Sequence, residues 1–137
     1  RNSVQSVRRE VKENKSKSIP LKVSAPFHCS LMKPAAEIRK EKIKRIKFSR
    51  PLFDIVSNVT AETENDVERI KDLLIKQIFS TVRWRESLIY MSNKGIKNFV
   101  EIGPGKALSG MVKRTIKDVK SFSINSITDI KNLQNEF

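Results

Sequence analysis

One cysteine, one histidine, one tryptophan and four glycines are all that 137 residues contain of these types. A lone cysteine excludes an internal disulfide framework, and a chain that does without disulfides reads as cytoplasmic. One His and one Cys, without converging carboxylates at ligand spacing, do not make a metal site, so no metal is expected. No apolar run approaches the roughly 18–20 residues of a membrane span, and no signal peptide is visible. Few glycines and no Gly/Ser or Pro-rich tract exclude a low-complexity linker. Acidic charge is scarce, but only in one region. Residues 1–50 hold 15 Lys and Arg against 4 acids, whereas residues 51–137 hold 13 against 11, so nearly all of the formal +13 lies in the first third. Such a concentration fits a local basic surface better than a uniformly nucleic-acid-binding protein.

What is present is apolar periodicity. The chain is 38% apolar, enough for one domain with a core. Val4, Val7 and Val11 predict a helix over roughly 3–15, beginning inside "RNSVQSVRRE". The chain does not start with Met, and the expectation is a fragment of a longer protein. Ile19, Leu21 and Val23 alternate as a strand that ends near Pro26. Pro34 stands at a helix start, and that helix runs to about Arg45. "PLFDIVSNV" is strand-like. Asn65 or Asp66 is placed to cap a helix whose apolar face is Val67, Ile70, Leu73, Leu74 and Ile78. Trp84, Leu88 and Met91 mark another helix, with Gly95 as its left-handed cap. "FVEI" reads as a strand covered on both faces. "GPGK" leads into a helix with Leu108, Met111, Val112 and Ile116 on one side. "SFSI" is the last strand, and Ser126 with Asp129 forms a capping box for a helix carrying Ile127, Ile130 and Leu133. Alternating strands and helices predict an α/β fold with a mainly parallel sheet.

Four stretches carry candidate chemistry, each with a structural alternative. His28 and Cys29 are adjacent in "PFHCSLM", but neighbours on an extended segment point apart, so the pair is not a dyad. His28 by itself follows a strand end and a turn, where α/β sheets present catalytic groups; a structural histidine is the alternative. Gly103-Pro104-Gly105-Lys106 at a helix start is either a phosphate cradle or a tight turn, and it matches neither the P-loop nor the dinucleotide fingerprint. The basic run from Lys33 to Arg50 is either a solvated face or a dock for an acidic partner; with one aromatic, Phe48, it lacks a stacking array for bases. The chain contains no G-x-S-x-G elbow, and Ser109 in "KALSGM" lacks the first glycine.

Taken in order and spacing, "LKVSAPFHCSLMKPAAE", "VSNVTAE", "IKQIFSTVRWRESLIYM" and "FVEIGPGKALSGMVKR" resemble the C-terminal part of the bacterial malonyl-CoA:acyl-carrier-protein transacylases. The resemblance implies the C-terminal portion of an α/β-hydrolase-like core at 25–137, preceded at 1–24 by the last helix and strand of a ferredoxin-like subdomain. It implies ping-pong malonyl transfer from CoA to acyl carrier protein through a serine ester, in fatty acid biosynthesis, with no cofactor beyond the substrates. His28 matches the family's general base and acid, and Gln77 matches the position whose main-chain carbonyl orients that imidazole. That carbonyl stands in for a triad carboxylate. The family's nucleophilic serine, malonate-binding arginine and oxyanion-hole residues belong to its N-terminal half and have no counterpart here. Thr81 stands where the family often has proline, with an effect expected only on a helix start. The implied partners are acidic acyl carrier protein and the missing N-terminal half, and the chain alone is expected to be inactive and poorly soluble. A small basic nucleic-acid-binding module and an acyltransferase domain of a polyketide synthase are the alternative readings.

Overall fold

The computed structural model describes residues 2–16 and 26–136. Helix α1 (Asn2–Glu13) fills the predicted first segment. The strand expected over Ile19–Val23 and the proposed boundary at residues 24 and 25 lie outside the described residues. A single 3-10 turn at Ser30–Met32 then feeds α2 (Lys33–Arg45), with Pro34 in its first turn. Proline there gives up only an N–H that would have no intrahelical partner.

From "PLFDIVSNV" only Ile55 and Val56 (β1) form a strand, paired with Thr63 and Glu64 (β2) in an antiparallel ladder. This short pair is the antiparallel exception beside a longer parallel pairing. The six residues between these strands form a tight reversal, closed by Ala61 N–H donating to Ser57 O at 2.8 Å. A parallel pair would need a crossover of a dozen or more residues. The parallel arrangement appears where a helix intervenes. β3 (Asn98–Ile102) and β4 (Lys120–Ile124) pair in parallel, Asn98 with Lys120 through Ile102 with Ile124, joined by α5 (Ala107–Thr115). α5 packs on both strands, and α6 (Ile127–Gln134) packs on β4.

Helix ends follow the side chains that the sequence supplies. Asp66 caps α3 (Val67–Gln77), its carboxylate accepting Arg69 N–H at 2.7 Å. Ser126 and Asp129 form the full reciprocal box at α6. α4 (Trp84–Asn93) is followed by Gly95 at φ 87°, the left-handed exit that glycine allows without a Cβ clash.

Among the described residues the buried apolar side chains are Ala36, Ala61, Ile70, Leu73, Ile75, Leu88 and Val112. α2 packs on α3 and α4 on α5, and Ala36 and Leu88 are the buried apolar residues of α2 and α4. Two expectations need amending. Leu74 is 46% exposed, and α3 buries Ile75 instead. β3 is not covered on both faces: Phe99 and Glu101 turn inward toward α5, while Val100 and Ile102 stay exposed, because α5 covers only one side of the strand.

Candidate active site

His28 sits in the turn after Pro26 with φ 57°, in the left-handed region that β-carbon sterics disfavour. Histidine enters that region more readily than most residues, and strained backbone concentrates at functional sites. The turn aims the imidazole at the C-terminal end of α3. There His28 Nδ1 lies 2.9 Å from the main-chain oxygen of Gln77. A carbonyl oxygen only accepts, so Nδ1 carries the proton and donates it. Nε2 is then left with a free lone pair, on a side chain exposed to solvent.

The acceptor is available because α3 stops. Beyond Gln77 the chain tightens: Ile78 N–H donates to Ile75 O, and Phe79 and Ser80 N–H both donate to Lys76 O. The last carbonyls of a helix lack intrahelical donors and carry the negative end of its dipole, which favours a proton-bearing group beside them. The structure thus brings together His28 and Gln77, 49 residues apart in sequence. Gln77 takes part through its backbone alone. Its side-chain Nε2 is buried without a hydrogen-bond partner among the described residues.

Cys29 lies apart from this pair. Its Sγ donates to Pro26 O at 3.1 Å, bracing the turn that presents His28. The "GPGK" segment resolves as a tight turn. Gly103 and Gly105 have φ of 137° and 101°, and Gly105 N–H donates to Asn125 Oδ1 at 2.6 Å. Two amides in the first turn of α5 are already taken by a side chain. Glu101 Oε1 accepts Leu108 N–H at 3.1 Å, and Oε2 accepts Ser109 N–H at 2.8 Å. Ser109 donates its hydroxyl to Phe122 O, accepts from Ser123, and is buried, so it is structural.

Glu101 went unnoticed in sequence because "FVEI" reads as apolar. The available signal was an acid on the strand that leads into a helix N-terminus. The hydrogen bond from Ser109 N–H is the main cause holding its carboxyl below the ordinary range, with Ser109 hydroxyl and Leu108 N–H adding to it against the effect of burial. A carboxylate whose folded value is lowered contributes stability above its unfolded value and loses it as pH falls through the folded one. Stability is therefore expected to drop on acidification below the ordinary glutamate range. Glu101→Gln, compared with the unsubstituted chain in urea titrations at several pH values, is expected to remove part of that drop. Asp129, lowered mainly by Asn125 N–H and then by the Ser126 hydroxyl, is expected to contribute in the same direction.

The basic run falls on α2 and the segment after it. Lys40 pairs with Glu37 at 3.5 Å, and Lys33 lies 6.0 Å from the Phe79 ring. Arg39, Lys42, Lys44, Arg45, Lys47 and Arg50 are exposed, without an ion pair among the described residues. Phe48 lies beneath Lys71 at 5.6 Å and is half-buried, so it offers no open ring to a base. No helix among the described residues is long and apolar enough to cross a membrane.

An α/β chain with a histidine held by a main-chain carbonyl has close structural counterparts. The crystal structure of FabD from Acinetobacter baumannii superposes with a TM-score of 0.89 at 37% identity, covering 98% of this chain and 43% of that one. The acyl-carrier-protein-S-malonyltransferase from Bartonella henselae gives 0.91 at 33% identity, again over 98% of this chain and 43% of that one. A third structure, PlMCAT with AntF, is a type II PKS acyl-carrier protein in complex with its malonyl-transacylase, at 0.88 and 33% identity over 98% of this chain and 44% of that one.

The chain is homologous to the malonyl CoA-acyl carrier protein transacylases, including those of Staphylococcus aureus strain COL and Escherichia coli K12. The first is 42% identical over 113 residues, 82% of this chain and 37% of that protein; the second is 37% identical over 109 residues, 80% and 35%. The chain spans about a third of the length of these curated relatives. No family model matches it.

Proposed function

We propose that this chain is the histidine-bearing part of a malonyl-CoA:acyl-carrier-protein transacylase of fatty acid biosynthesis, working in the cytoplasm. In this reading residues 25–137 are the C-terminal portion of an α/β-hydrolase-like core. Residues 1–24 end a ferredoxin-like subdomain, and the nucleophilic serine comes from a separate segment. The observation that carries it is the 2.9 Å contact between His28 Nδ1 and Gln77 O. It leaves Nε2 as a base.

The steps follow from that tautomer. Nε2 takes the serine hydroxyl proton as the serine oxygen attacks the malonyl thioester carbonyl. The imidazolium is steadied by the Gln77 carbonyl and then returns the proton to the departing CoA sulfur, leaving a malonyl-serine ester. In the second half Nε2 takes the proton of the phosphopantetheine thiol. The thiol sulfur attacks the ester, and the serine oxygen leaves with the proton from the imidazolium. The proposed partner is an acidic acyl carrier protein. The complex of a related transacylase with its carrier supports this, as does the unpaired basic charge along α2. A nucleic-acid-binding module explains the charge but not the His28 geometry.

The test is complementation. The chain is expected to transfer no malonyl group by itself, and mixing it with a segment that bears a G-H-S-x-G elbow is expected to restore transfer from malonyl-CoA to acyl carrier protein. Normal turnover by the chain alone would overturn the proposal.

A further inference from the structure

In an uninterrupted α-helix the Gln77 carbonyl would accept the N–H of the residue four positions on, and that residue is Thr81. In the structure it does not. Thr81 to Arg83 lie outside any helix, and Thr81 is exposed, with no backbone partner for its N–H among the described residues. The oxygen that the Thr81 amide would use in a continued helix is the one the imidazole uses here.

We infer that Thr81 is a positioning residue for His28: by standing off α3, it leaves the Gln77 carbonyl to the imidazole. Two features keep it there. Thr81 and Val82 are consecutive β-branched residues, which lose side-chain freedom against a preceding helical turn. The chain is also anchored just beyond them. Arg83 N–H donates to Asn58 O at 2.9 Å, and Arg83 Nη1 donates to Thr60 O at 2.9 Å, drawing the connector onto the β1–β2 loop. α4 begins three residues later, at Trp84, as the sequence predicts.

The placement of Thr81 is argued from geometry alone, and only its consequence for catalysis rests on the transacylase reading. The test exploits His28 being the only histidine of the chain. With this chain alone labelled with nitrogen-15 and bound to an unlabelled G-H-S-x-G segment, the imidazole nitrogens report the tautomer directly. The unsubstituted chain is expected to show the Nδ1–H form. The double variant Thr81→Ala, Val82→Ala raises helix propensity at both positions and is expected to extend α3 through residue 81. The ratio of Nδ1–H to Nε2–H forms is then expected to fall about fivefold, the scale of one net hydrogen bond. Thr81→Pro cannot donate to Gln77 O and is expected to keep the Nδ1–H form. An unchanged tautomer in the double-alanine variant, whether or not α3 lengthens, would overturn the inference. So would loss of the Nδ1–H form in a folded Thr81→Pro variant. If the tautomers behave as stated while the complemented enzyme transfers no malonyl group, the transacylase reading fails and the positioning role stands.

Discussion

His28→Ala is expected to lower malonyl transfer by the complemented enzyme roughly 10²–10⁴-fold, the usual contribution of a positioned general base. The loss is expected in kcat, with KM for malonyl-CoA little changed, because the imidazole acts on protons in flight and not on the bound acyl group. His28 is exposed and its side chain makes one tertiary hydrogen bond, so the substitution is expected to leave the fold in place. The informative control is Gln77→Met. It keeps the main-chain oxygen that faces His28 and removes an amide nitrogen that is buried without a partner. If orientation comes from the backbone, transfer by Gln77→Met stays within a few-fold of the unsubstituted enzyme, and stability does not fall for want of a hydrogen bond. A loss equal to that of His28→Ala would show that the amide, and not the carbonyl, does the positioning. Steady-state kinetics with malonyl-CoA and acyl carrier protein varied separately distinguish these outcomes.

Leu88→Ala is expected to destabilise the chain by about 2–5 kcal/mol, as for large-to-small changes at buried sites. Leu88 is 0% exposed and is the largest fully buried side chain among the described residues, on α4, which packs on α5. Few side chains share its load. Of the seven buried apolar residues two are alanines, Ala36 and Ala61, while Leu52, Phe53 and Ile102 stand 91%, 83% and 81% exposed. A domain stable by about 5–15 kcal/mol has little reserve against such a loss. Urea unfolding of the chain bound to a tryptophan-free G-H-S-x-G segment, followed by Trp84 fluorescence, is a direct measurement, since Trp84 is the only tryptophan of the chain and lies one helical turn from Leu88. The midpoint is expected to fall with the slope unchanged. Ile127→Ala, at a position 74% exposed, is expected to move it by no more than about 0.5 kcal/mol. Equal effects at the two positions would place the core elsewhere.

Local chemistry was legible from the chain alone. Asp66 and the Ser126–Asp129 pair announced helix starts, Gly95 announced an exit, and Pro34 announced α2; each acts on backbone groups within four residues, so sequence neighbours suffice to identify it. "FVEI" and "SFSI" were recognisable as strands for the same reason. The four-block resemblance was legible too, because it rests on order and spacing. It led to the relatives whose solved structures match this fold.

What only the tertiary structure decided are the relations between distant residues. From sequence β1 looked longer and its partner could not be named, because strand propensity does not record which strand is close enough to pair; a six-residue reversal gave it an antiparallel one. Glu101 was hidden in an apolar strand, since its partners Leu108 and Ser109 meet it only once α5 folds back on β3. The contact of His28 with the Gln77 carbonyl was available to the sequence only through resemblance. A main-chain oxygen has no side-chain signature, and its availability depends on where α3 ends. Side-chain identity specified the local elements of this protein. The contact that orients its one histidine is made by a backbone group, which every residue carries, and only the fold selects which one.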